Sequence, residues 1–164
     1  MPNRPFSGDP FTVLTVDPKR TFLEKMFLLH EEFSKPQEKI RYERMSRHLY
    51  DLEKLMDTEF GIAALNDPEL YDLIVQHRAK YTAIRGIDYK SHAPASINFI
   101  PPPEVLAQWE RDYGLMQQSM IYGASLSFTT LIKRLEELKQ RCRGLYIHNM
   151  FEGRPENMQS EIVL

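Results

Sequence analysis

The sequence predicts a mainly α protein, a bundle of about five helices preceded by one or two short strands. Three observations carry that prediction. Apolar residues recur at three- and four-residue steps in separate runs, Asp-Pro pairs head two of those runs, and prolines collect at segment edges. With 164 residues, 42% of them hydrophobic, the chain has the length and composition of one domain, or the end of a larger one, with its own core.

Taken in order, Met1 to Pro10 is rich in Pro, Gly and Asn, and Phe11 to Val16 follows with strong β preference, the signature of a strand. Asp17 and Pro18 supply an N-cap and a first-turn proline for a helix in which Phe22, Met26, Leu29 and Phe33 repeat until Pro36 stops the run. A second helix is expected from about Ile40 to Asp57, with Met45, Leu49, Leu52 and Met56 as its buried stripe, packed on the first. Asp67-Pro68 opens a third, whose apolar line is Leu70, Leu73, Ile74, His77 and Tyr81. Ile84 to Pro103 holds Gly86 and four prolines and reads as a long loop, with Ser96 to Ile100 alternating like a second short strand. A fourth helix, Glu104 to Ile121, carries Leu106, Trp109, Tyr113, Met116 and Met120. A fifth, Ser127 to about Cys142, carries Phe128, Leu131, Ile132, Leu135 and Leu138. Gly144 to Leu164 shows no clear period. The expected organisation is a remnant strand at 1–17, a helical domain at 18–143 and an unassigned tail at 144–164.

Composition excludes several classes. Charged residues make up 27% of the chain and the formal net charge is -2, so no global field draws in nucleic acid or an anionic membrane, and any basic site must be local. The single Cys142 cannot close an internal disulfide, and no leader or apolar run of spanning length is visible, which predicts a cytoplasmic protein without membrane contact. The five histidines, at 30, 48, 77, 92 and 148, form no His-Glu-x-x-His or Cys-x-x-Cys arrangement, so no metal site is expected from them. His77 reads as a core histidine, Cys142 as a small core residue, and His30-Glu31-Glu32 as a helix face turning towards solvent. Arg78, Lys80, Tyr81, Arg85, Tyr89 and Lys90 mix basic and aromatic side chains in a way that suits guiding an RNA acceptor, or simply the solvated side of a helix.

Helical spacing puts Arg44, Arg47, His48 and Asp51 on one face beside the apolar stripe of the second helix. Lys25 lies at the edge of the first helix's stripe, so a hairpin of the two helices would bring Lys25 and Asp51 to one rim. Spacing alone is equally met by solvated helix faces with surface ion pairs, which stabilise little.

Two segments add a resemblance. Arg20-Thr21-Phe22-Leu23-Glu24-Lys25 and Ser46-Arg47-His48-Leu49-Tyr50-Asp51-Leu52 resemble the third and fourth motifs of the AbiEii/AbiGii nucleotidyltransferase toxins, the toxin half of type IV abortive-infection toxin-antitoxin systems. The resemblance extends from about Phe11 through Arg141. It implies that Lys25 contacts the nucleoside triphosphate and that Asp51 completes the active site. Arg47 is a candidate for nucleotide binding, for holding Asp51 in place or for a plain helical ion pair, with Arg44 and His48 lesser candidates for the nucleotide. The resemblance further implies Mg2+ and an NTP donor, an RNA or protein acceptor, and a cognate antitoxin, with oligomeric state left open. Transfer to or from phosphate depends mainly on positioning and on cations that offset phosphate charge, a part a rim lysine can play. Where the family often has Arg-Asp before the Tyr, this chain has Arg47-His48-Leu49, which leaves His48 without an assigned role.

Relatives in that family begin with a Gly-Ser or Gly-Gly loop and paired acidic residues that bind the metal. Ser7-Gly8-Asp9 and Gly123-Ala124-Ser125 are turn-like strings without an Asp-x-Asp partner. The expectation is therefore a C-terminal portion of such a toxin, inactive alone, whose partner is a missing N-terminal lobe. Two rival readings exist. Arg41 with His48, and Arg85 with His92, meet the loose Arg-to-His spacing of HEPN ribonucleases. Helices four and five, through Trp109, Tyr113, Met116 and Met120, suit either a non-catalytic interaction module or an internal core.

Overall fold

The computed structural model describes residues 15–152, with side chains described up to Gly144. Six α-helices account for most of the described residues: α1 Pro18–Phe33, α2 Arg47–Leu55, α3 Glu59–Leu65, α4 Pro68–His77, α5 Leu106–Ser119 and α6 Phe128–Glu152. No described helix is long and apolar enough to cross a membrane.

α1 is the organising element. The Asp17 carboxylate accepts from the Lys19 N–H at 2.9 Å, and Pro18 occupies the first turn, where a missing N–H costs nothing. Phe22, Leu23, Met26, Phe27 and Leu29 are wholly buried, because α2, α3 and α4 all pack against this helix. Phe33 meets Trp109 of α5 edge-on at 4.8 Å, and α6 packs against α2 and α5. Leu131, Leu135 and Leu138 of α6 complete the core.

Several expectations need correcting. Phe11 to Leu14 of the first expected strand lie outside the described residues, and Thr15 and Val16 form no strand. Ser96 to Ile100 is not a strand either. Ile97, Phe99 and Ile100 are buried, but the intervening Asn98 gives its backbone N–H to the ring of His30, at 3.0 Å, instead of to a neighbouring strand. The second helix starts at Arg47 and not Ile40, because side-chain carboxylates take the preceding backbone N–H groups, as described below. α3 has no counterpart among the expected helices, and its third residue is Gly61. Thr58 caps the helix, accepting from the Gly61 N–H at 3.2 Å and donating to the Leu55 carbonyl at 2.7 Å. A Cβ at Gly61 would collide with that same carbonyl, so the glycine allows α2 and α3 to turn this closely.

α4 buries Tyr71 and Ile74, while Leu73 and Tyr81 of the expected apolar line are exposed. The last turn widens into a π-helical turn, Arg78–Thr82, which ends on the left-handed Ala83. α5 buries Trp109, Tyr113 and Met116 but leaves Met120 exposed, and α6 continues past Cys142 to Glu152, taking in part of the tail that shows no period.

Candidate functional site

Lys25 in the middle of α1 and Asp51 in the middle of α2 meet across the helix pair, with the ammonium 2.6 Å from Oδ2. The neighbours Met26 and Leu29 on α1, and Leu49 and Leu52 on α2, are buried and lock the two helices together beneath the pair. The two side chains retain 22% and 37% of their accessible surface, so both remain reachable from solvent. A bond to one carboxylate oxygen leaves the ammonium with further N–H donors for a ligand.

Arg47 is the first residue of α2 and is exposed. His48, next to it, is half-buried, and its Nδ1 is buried without a hydrogen-bond partner among the described residues. Burial, followed by the charges of Lys25 and Arg47, pulls the His48 imidazole down to about 4, against the opposing pull of Asp51.

Arg44 does not share this face. It lies in the turn before α2 with a left-handed φ of 58°, and it is exposed. The cause is Asp112 of α5, which is buried and accepts from the Arg44 N–H at 2.7 Å, the Ser46 N–H at 3.0 Å and the Ser46 hydroxyl at 2.6 Å. At the other end of the turn, buried Glu32 accepts from the Arg41 backbone N–H and its guanidinium, both at 2.7 Å, and from Lys35 at 2.7 Å. These two carboxylates satisfy donors that a helix would satisfy internally, so Ile40 to Ser46 stays a turn. α2 is thereby held at its start from α5.

A second polar group lies inside the protein. Glu31 is 1% exposed and accepts from Arg78 Nε at 2.8 Å, with His92 Nε2 at 3.1 Å on the same oxygen. Burial raises the Glu31 carboxyl, but the bonds from Arg78 and His92 outweigh it and leave it below its usual range. His30 joins the group, its Nε2 2.8 Å from the Ser91 hydroxyl and its ring edge-on to His92 at 4.7 Å. Tyr89 stacks on His92, and the Tyr71 hydroxyl donates to the His92 carbonyl at 2.6 Å.

His30, Glu31 and Glu32 are thus buried and do not turn to solvent. His92 takes the core position expected of His77, which is exposed and packs on Tyr81. Arg78 is committed to Glu31, whereas Lys80, Arg85 and Lys90 of the same basic run are exposed. The available signal was the position of Glu31, four residues after Phe27 on the buried side, where an acid requires a base from elsewhere in the fold.

Among the described residues no three His, Cys, Asp or Glu side chains come together to cage a metal ion. Clefts of about 420 and 150 Å³ flank Tyr42, sharing Gln108 as a wall, and neither is lined by Lys25 or Asp51.

A family model described as nucleotidyl transferase AbiEii toxin, Type IV TA system, matches residues 2–140 and so includes both segments whose side chains meet at this rim. No curated protein and no solved structure matches the chain. The family match spans most of the sequence, and the chain belongs to the AbiEii nucleotidyltransferase toxins of type IV toxin-antitoxin systems.

Proposed function

We propose that this chain is the C-terminal helical part of an AbiEii-like toxin and contributes Lys25 and Asp51 to a site that moves a nucleotide from an NTP to an RNA or protein acceptor. The observation that carries the reading is the 2.6 Å contact between the Lys25 ammonium and the Asp51 carboxylate, which joins the two motifs of the family resemblance. In nucleotidyl transfer an acceptor oxygen bonds to the α-phosphorus and pyrophosphate leaves. Lys25 offers positive charge to the triphosphate, and Asp51 fixes where that charge stands. Arg47, exposed at the head of α2, is a second cation for the same phosphates. Arg44 is a weaker contributor, since its backbone is committed to Asp112.

Among the described residues no three His, Cys, Asp or Glu side chains gather at this rim, and the family resemblance puts the paired metal-binding acids ahead of the two motifs. The proposal therefore assigns the metal ligands to an N-terminal lobe and expects no transfer by this chain alone. It carries with it a cytoplasmic location, a cognate antitoxin as partner and, through exposed Lys80, Arg85 and Lys90, a path for an RNA acceptor. The ribonuclease reading has less support, because Arg41 is bound to Glu32 and His92 is wholly buried on Glu31.

The test is binding of a labelled NTP to the purified chain, with transfer to RNA and protein followed in parallel. Binding that weakens at least tenfold in Lys25→Ala, without transfer, is the expected result. Binding indifferent to Lys25→Ala would refute the site, and robust transfer lost on Lys25→Ala would refute its incompleteness.

A further inference from the structure

His48 adjoins the Lys25–Asp51 rim and has no part in the proposed transfer so far. Its Nδ1 is buried and unpartnered among the described residues, an uncommon state for a polar atom. The charges that act on the ring come from three elements: Lys25 on α1, Arg47 and Asp51 on α2, and Arg41 in the preceding turn. Three of those four are cations, and together with burial they keep the imidazole uncharged at neutral pH.

An uncharged imidazole carries one proton, on one nitrogen only. A buried N–H without an acceptor is the rarer kind of orphan, and nearby cations favour a lone pair over a proton. Nδ1 accordingly keeps the lone pair and Nε2 the proton. Nε2 is not among the buried unpartnered atoms and makes no hydrogen bond among the described residues, so it is the ring nitrogen with access to solvent.

We propose that His48 is a binding residue of this site, a neutral imidazole whose Nε2–H donates to a phosphate oxygen of the bound triphosphate beside the Lys25 ammonium. The proposal rests on the nucleotide reading above. A third permanent cation at this position would be repelled by Lys25 and Arg47 in the free protein. A neutral N–H supplies a directed contact to the anion without that repulsion.

The full chain is titrated calorimetrically with inorganic tripolyphosphate, and the His48 ring nitrogens are followed by ¹⁵N NMR. His48→Gln, which places an amide N–H near the position of Nε2–H, should bind within about twofold of the parent, whereas His48→Ala should lose about tenfold, the loss of one hydrogen bond to a charged group. In the parent protein the Nε2 resonance should report the Nε2–H tautomer and move on saturation with tripolyphosphate. That measurement needs no variant to fold. Unchanged affinity in His48→Ala, an Nδ1–H tautomer, or an Nε2 resonance indifferent to the anion overturns the role of His48, while binding that still requires Lys25 leaves the nucleotide reading standing. Absence of tripolyphosphate binding, or binding unaffected by Lys25→Met, overturns both.

Discussion

His30 should make the protein lose stability as mild acid is added, well before its carboxylates titrate. The ring is 5% exposed, and its Nδ1 accepts from the Asn98 N–H at 3.0 Å, a bond only the neutral ring can make there, with the Asn98 carbonyl at 3.2 Å a weaker pull towards the charged form. Burial, then the neighbouring His92, lowers its pKa from 6.5 to about 4. A group whose folded pKa is depressed contributes stability that is fully present above the unfolded value and is lost as pH falls towards the folded one. The window is therefore pH 6.5 down to about 4. At pH 4.5 an unfolded histidine is almost fully protonated and the folded one only in part, which corresponds to a loss of about 2.5 kcal/mol. His48 adds in the same direction but by less, because its ring is half-exposed. Glu31 and Glu32, whose pKa values are lowered from 4.5, lose their contribution only below that value, so the upper window belongs to the histidines. Urea denaturation followed by circular dichroism at pH 7 and pH 4.5 measures the difference. His30→Gln will be less stable at both, and the gap between the two pH values should shrink by about 2.5 kcal/mol. A variant that keeps the whole gap would refute the assignment.

Two further outcomes follow from the packing. Glu31→Gln removes the charge that holds Arg78, a side chain itself only 12% exposed, and should destabilise the fold by about 3–5 kcal/mol in urea, with Arg78→Met in the same chain recovering part of that loss. Gly61→Ala drives a methyl group into the Leu55 carbonyl and should lower stability by about 1–3 kcal/mol, seen as a lower melting temperature, although alanine is the better helix former; an unchanged melting temperature would mean that α2 and α3 can separate freely.

The helices with clear caps and regular apolar steps were legible in the sequence. Asp17-Pro18 and Asp67-Pro68 cap α1 and α4 as read, and the stripes Phe22, Met26, Leu29 and Leu131, Leu135, Leu138 are buried as read. What periodicity could not reveal depended on partners distant along the chain. The turn before α2 exists because Glu32 and Asp112 capture its donors, and Asp112 comes from α5. α3 is short and contains a glycine whose value is spatial, set by the approach to Leu55. The expectation of a core histidine at His77 failed for the same reason. His77 has the helical register of a core residue, but α4 turns Tyr71 and Ile74 inward, and it is His92, in an irregular loop, that Glu31 draws in. The meeting of Lys25 with Asp51 was legible because it needs only two adjacent helices packed by their own stripes. The unpartnered nitrogen of His48 was not, since it depends on what burial leaves unmatched.

The grip of Asp112 on the turn before α2 has a consequence for synthesis of the protein. A nine-residue helix has little stability by itself, so α2 depends on its neighbours for its shape and direction. Lys25 and Asp51 both leave the ribosome before Asp112, and until α5 emerges the turn before α2 is held at one end only, by Glu32 on Arg41. A nascent or prematurely ended chain thus holds α2 through its packing on α1 alone, and the approach of Lys25 to Asp51 is fully fixed only as the bundle closes.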